Sequence, residues 1–237
     1  MKINFNRTDL AHDKTKKLIN LYKENNIEIS TIKNKQNKYH LIKFNYLNNE
    51  LKTILKKELN FFLNKIKNKK HILIIGLGNN NYTSDSIGPK VLKNINVNAH
   101  LLNMGASSNI KVSALEPGVL GQTGIETSLI ISSIVKEINP DLLIIIDSFV
   151  TNNINNLEKS IIITNEGITP GSGVATINNK INQKSIGKPV IVIGIPTALE
   201  IEINKQKLLV SSNIIDKYIY NLSKIIGEVI NEVLYFS

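Results

Sequence analysis

His71-Ile72-Leu73-Ile74-Ile75-Gly76-Leu77-Gly78 is the stretch on which the fold turns. A short apolar run closed by glycines reads as a buried strand that opens into a loop at its carboxyl end. Similar runs end at Ile146 before Asp147, at Ile163 before Thr164 and at Ile193 before Gly194. Each is continuous rather than alternating, the pattern of strands covered on both faces. Helical spacing fills the intervals at 86–95, 124–138 and 211–235, the last repeating Ile215, Ile219, Leu222, Ile226, Val229 and Val233. The expected fold class is α/β: three layers, with a mostly parallel central sheet and helices on both faces.

Upstream of this core the pattern changes. A short helix capped near Thr8 or Asp9 leads into Leu18, Ile19 and Tyr22. Residues 27–33 and 38–45 alternate loosely across Asn34-Lys35-Gln36-Asn37, a hairpin with a polar turn. Leu51, Ile54, Leu55, Leu59, Phe62 and Ile66 mark a helix over 50–67, with lysines on its other side. Residues 1–67 are thus expected to be a helix-and-hairpin elaboration on a core over 68–237, in a single domain spanning 1–237.

Composition narrows the chemistry. Of 237 residues, 42% are hydrophobic, enough for a sizeable core, and 20% are charged, low for a disordered chain. Zero cysteines exclude disulfides, Cys-ligated zinc, iron–sulfur clusters and thiol nucleophiles. The N-terminus lacks the apolar stretch of a secretory signal and no apolar run is long enough to span a bilayer, so the protein is expected to remain inside its cell. The net charge of +10 favours anionic partners, but Arg7 is the single arginine. Bidentate reading of guanine or phosphate relies on arginine, so direct nucleic-acid binding is not expected.

Three strand-end loops concentrate polar and turn-forming residues, at the place where open α/β sheets bind ligands. In the first, Gly76-Leu77-Gly78-Asn79-Asn80-Asn81 lacks the third glycine of a dinucleotide fingerprint, and no Lys-Ser or Lys-Thr pair follows. Asp85 in that loop either caps the helical stretch from Ser86 or serves chemistry. Asp147 opens the second loop directly after an apolar strand, where its charge needs solvent, a partner or backbone amides. Two close carboxylates share a proton, so a pair formed by Asp85 and Asp147 can activate water without cysteine, serine or metal; it can equally hold a cation. The third loop, Asn165 to Val174, carries Glu166, Gly171, Ser172 and Gly173, whose amides can face a developing oxyanion. Ser172 lacks the surroundings of a nucleophile elbow. Thr123 and Glu126 form a capping-box pattern, and Asp141 belongs to the opposite, structural end of its strand. His12, His40, His71 and His100 show no metal-ligand spacing.

Taken in order, Arg7 to Ala11, Gly76 to Asn79, Thr83 to Pro89, Pro117 to Thr127, Ile146-Asp147, Pro170 to Val174 and Gly187 to Thr197 resemble the germination protease family. These are spore endopeptidases that cut small acid-soluble spore proteins. The Gln122-Thr123-Gly124-Ile125-Glu126-Thr127 run is the most specific part. The resemblance implies a fold related to hydrogenase maturation proteases and an atypical aspartic-type enzyme whose two aspartates match Asp85 and Asp147. Asn79 falls in a matching motif and is expected in the substrate and oxyanion region with Glu166, Gly171, Ser172 and Gly173. The resemblance further implies no cofactor or metal, spore proteins as substrate, a homotetramer, a location in the spore core cytoplasm and no membrane partner. Family members are commonly made as zymogens; with six residues before Arg7, a mature-like or differently controlled chain is expected. Ala175-Thr176-Ile177 departs from the family's pattern. Two other readings of the scaffold stand beside this one: a metal-dependent maturation-type protease, and a non-enzymatic spore structural or regulatory protein.

Overall fold

The computed structural model describes residues 17–171 and 180–236. It is a mixed α/β fold. Strand β4 (His71–Gly76) lies parallel to β5 (Lys111–Leu115) on one side and β6 (Leu142–Thr151) on the other, and β6 lies parallel to β8 (Val190–Ile203). Ile72 and Ile74 are buried in one apolar cluster and Leu73 and Ile75 in a second, as successive side chains of a doubly covered strand must be. The first cluster is completed by α1 (Asn49–Leu63), α2 (Ile87–Leu92) and α7 (Ile215–Tyr235). Ile131 and Val135 of α5 (Thr127–Ile138) join the second, and three short helices, α3 (Ala99–Asn103), α4 (Leu120–Thr123) and α6 (Gln183–Ile186), are the remaining α-helices among the described residues. Burying one such Ile or Leu contributes about 1.5–3 kcal/mol.

The sheet departs from the mostly parallel arrangement expected. Strand β7 (Ser160–Thr164) runs antiparallel to β8, and β3 (Asn37–Lys43), β2 (Ile27–Asn34) and β1 (Lys17–Glu24) follow it outward, each antiparallel to the last. A last strand, β9 (Gln206–Val210), folds back along the far half of β8. Among the described residues five strand pairings are antiparallel and three parallel. Connection length explains the difference. A parallel return needs a dozen or more residues, and only residues 152–159 separate β6 from β7.

The N-terminal region also differs from expectation. The segment carrying Leu18, Ile19 and Tyr22 is strand β1, not helix. Asn25 and Asn26 both have positive φ, 49° and 61°, the left-handed two-residue turn that matches hairpin twist. That turn and the ladder to β2 override the helical spacing of three apolar residues. Residues 8–16, where the helix cap was expected, lie outside the described residues.

The carboxyl ends of the parallel strands are uneven. Gly76 ends β4 opposite Ile146, whereas β6 continues to Thr151 and β8 to Ile203. Asp147 therefore lies inside a strand rather than opening a loop, in register with Gly194 of β8.

Candidate active site

Glycine packing folds the loop after β4 back on itself. Gly78 has φ 116°, and a Cβ there would lie 2.0 Å from the Asp85 carbonyl oxygen. A Cβ on Gly88 would lie 2.2 Å from the Leu77 carbonyl oxygen. These glycines serve loop-on-loop contact, and the Asn79 amide closes the loop by donating to the Asp85 carbonyl at 2.9 Å. Thr83–Asp85 then form one 3-10 turn. The turn is tied to β8, where the buried Thr197 hydroxyl donates to the Ser84 carbonyl at 2.5 Å, and to α7, where Asp216 accepts from Thr83 at 2.9 Å.

Asp85 does not cap α2. The N-cap position belongs to Ser86, which makes no side-chain capping bond. The Asp85 carboxylate instead accepts a 2.7 Å hydrogen bond from the Ser148 hydroxyl. Burial pushes the Asp85 carboxyl above its ordinary range, against the opposing pull of Ser148 and the Asn79 amide. Asp147, which precedes Ser148 in β6, is 6% exposed and accepts from the Ser148 backbone N–H at 2.9 Å. Consecutive side chains leave a strand on opposite faces, so Asp147 and Ser148 flank β6. One residue nevertheless binds both acids, Asp85 through its hydroxyl and Asp147 through its amide. Ser148 is not legible in the sequence as a site residue except by one signal, a hydroxyl directly after Asp147 at the end of a continuous apolar run.

The neighbouring motif is anchored to the same loop. The Gln122 side-chain amide donates to Asn79 Oδ1 at 2.7 Å, and the Asn81 amide donates to the same oxygen at 3.0 Å. Asn79 is 8% exposed and acts as a joint between loops. The expected Thr123–Glu126 capping box is absent. Residues Leu120–Thr123 form their own turn of helix, α4, ended by Gly124 at φ 68°, and the Thr123 hydroxyl bonds the Val119 and Ile125 carbonyls. Glu126 occupies the N-cap of α5 without a side-chain capping bond.

The third loop starts elsewhere. Because β7 is antiparallel to β8, its carboxyl end points away from the end where Asp85 and Asp147 lie. Glu166, just beyond it, pairs with Lys180 at 3.0 Å and accepts from Asn34 at 3.2 Å, linking loop to hairpin. Gly171 is exposed with φ 68°. Ser172, Gly173 and the departure at 175–177 lie outside the described residues.

Among the described residues no group of three or more His, Asp or Glu side chains is gathered to hold a metal ion. His40 is buried against Glu58, and His71 is bonded to Ser113 at 3.0 Å. Asp141 accepts from the Lys70 and His71 amides at 2.9 and 2.8 Å, the structural role its position suggested.

Against families of known proteins, the germination protease model matches residues 10–204. The chain belongs to the germination protease family. It is 41% identical over 156 residues to the germination protease of Priestia megaterium, an alignment covering 63% of this chain and 42% of that protein. Identity to the Caldanaerobacter subterraneus germination protease is 44% over 143 residues, covering 58% and 44%. To that of Clostridium perfringens it is 45% over 132 residues, covering 54% and 41%. The chain thus spans less than half the length of these curated relatives. Both the Gly76 loop with Asp85 and the strand with Asp147 fall inside the region matched to the family.

Proposed function

We propose that the chain is an endopeptidase that opens the degradation of small acid-soluble spore proteins, with Asp85 and Asp147 as its acid pair. The observation that carries this reading is the attachment of both carboxylates to Ser148. Asp85, held protonated to higher pH by burial, gives a proton to the scissile carbonyl oxygen and recovers it from the tetrahedral diol as the C–N bond breaks, while the proton that Asp147 has removed from water passes to the leaving amine. Asp147, as carboxylate, takes a proton from the attacking water. The two ionisations belong to the pair. Amides near Gly171 and Gly173 are assigned to the oxyanion and Asn79 to the shaping of the Asp85 loop around the substrate; Glu166, tied to Lys180 and Asn34 at the far end of the sheet, is given no such part.

A place in the spore-core cytoplasm and a homotetrameric assembly are proposed with it, on the family resemblance; a solution mass measurement tests the assembly. Among the described residues no helix is long and apolar enough to cross a membrane. Incubating the purified chain with a small acid-soluble spore protein, with and without a chelator, tests the reaction. Chelator-insensitive cuts abolished by Asp85→Asn and by Asp147→Asn support the acid pair. Full turnover by both variants rejects it, and cuts that require a metal select the maturation-type alternative.

A further inference from the structure

The positive charge of this protein is segregated. Residues 17–70 carry thirteen lysines against four glutamates, while residues 71–236 carry twelve lysines against thirteen carboxylates. Essentially the whole excess therefore sits on the meander, α1 and the linker into β4. A compositional lysine bias alone would spread over both parts.

Topology gathers this charge further. The β2–β3 turn carries Lys33, Lys35 and Lys38, and the segment from α1 to β4 carries Lys65, Lys67, Lys69 and Lys70, of which Lys65, Lys67 and Lys70 are exposed. Both segments lie toward the end where the parallel strands begin. Asn37 starts β3 just beyond the Tyr39–Thr164 pair, Thr164 faces Val192 near the start of β8, and Lys70 leads directly into His71. Lys38 and Lys65 converge on one ring, at 5.0 and 3.5 Å from the Phe61 centroid. Among the described residues none of the six ammonium groups is paired with a carboxylate, in contrast to those of Lys52, Lys56 and Lys57 in α1, which pair with Glu228, Glu232 and Glu24. Burial and the neighbouring Lys38 lower the Lys65 ammonium, as expected of cations held together without an anion.

We propose that this end of the sheet is a docking surface for the phosphate backbone of a nucleic acid, bound without regard to sequence. Lysine presents a point charge suited to phosphate, and the six lack the planar fork that reads a base edge. The scarcity of arginine argues against sequence-specific recognition and not against backbone attraction. The two segments display no exposed large apolar side chain among the described residues, so they offer nothing to insert into a bilayer or to seed a dry protein interface. Strands about 4.8 Å apart place the β3 and β4 ends, four spacings from each other in the sheet order, roughly 19 Å apart. That separation suits several successive phosphates. Asp85 and Asp147 lie at the other end of the strands, so a docked chain keeps its candidate site open. The surface is independent of the reading given to that site.

The test is fluorescence anisotropy of a labelled 30-base-pair duplex with the full chain from 50 to 200 mM salt. Six neutralised phosphates give a log K against log salt slope of about −5 and an affinity loss of about 10³ over that range. A combined Lys33→Glu, Lys35→Glu, Lys65→Glu, Lys67→Glu variant, shown folded by circular dichroism, loses at least about four of those slope units. Lys205→Glu with Lys217→Glu, at the other end, leaves binding unchanged. Sequence-scrambled duplexes bind equally. No binding at 100 mM salt, equal loss in the control variant, or tighter binding to phosphatidylglycerol vesicles or polyglutamate than to the duplex each overturns the proposal.

Discussion

The hydroxyl of Ser148 donates a 2.7 Å hydrogen bond to the Asp85 carboxylate, joining a loop after β4 to the middle of β6. The same residue's amide serves Asp147. The loop acid is thereby registered against the strand acid through a single intervening residue, and the geometry of the candidate pair depends on a side chain that need not itself react.

Ser148→Ala tests that dependence. The hydroxyl stabilises the charged form of Asp85, so its loss raises the Asp85 carboxyl further. Activity that requires protonated Asp85 then falls at higher pH than in the parent, moving the alkaline limb of the rate profile upward. Losing a hydrogen bond to a charged group costs about 1.5–3 kcal/mol, or roughly 10- to 100-fold in kcat. Ser148→Thr, which keeps the hydroxyl, restores most of the rate. An unshifted limb in the alanine variant would show that Ser148 does not tune the pair.

Gly78→Ala strikes the loop that carries Asp85. Its φ of 116° and a carbonyl oxygen 2.0 Å from the new methyl leave no relaxed conformation. The expected cost is about 3 kcal/mol, read as a lowered urea midpoint at unchanged m-value, together with loss of cleavage.

Gln122→Ala removes a 2.7 Å donor from the buried Asn79 oxygen. The Asn81 amide still reaches that oxygen, so the loss in stability is about 0.5–1.5 kcal/mol. Cleavage should weaken in parallel, because Asn79 closes the Asp85 loop. Equal stability and activity to the parent would reduce the Gln122 contact to coincidence.

Glu58 gives a pH dependence separate from the candidate site. Burial pushes this carboxyl up, but hydrogen bonds from His40 and Tyr22 and the nearby His40 charge outweigh it and hold it below 4.5. A depressed carboxyl contributes stability above the unfolded-state range and loses it as pH falls through its own titration. The parent should therefore lose stability progressively below about pH 4.5. Glu58→Gln should already be about 3–5 kcal/mol less stable at neutral pH, since it strands a buried partner, and should show a flatter acid profile. Urea titrations from pH 3 to 7 compare the two.

Periodicity alone was enough to locate the buried runs at 71–75 and those ending at Ile146, Ile163 and Ile193, which lie in β4, β6, β7 and β8, and the helices α1, α5 and α7, because continuous apolar runs and 3.6-residue stripes report burial directly. The order of family motifs likewise directed attention to Asp85 and Asp147. Strand direction was set by something periodicity does not encode: the eight-residue return from β6 to β7 and the two-residue turns at Asn25-Asn26 and Lys35-Gln36 are too short for parallel crossovers. That reversal carried Glu166 to the far end of the sheet. The role of Ser148 was invisible for a related reason. Its partner lies 63 residues away, and a hydrogen bond across that separation exists only once the glycines at 78 and 88 have let one loop fold against another. Local sequence determined what each segment would bury; only the closed sheet decided which polar groups would meet.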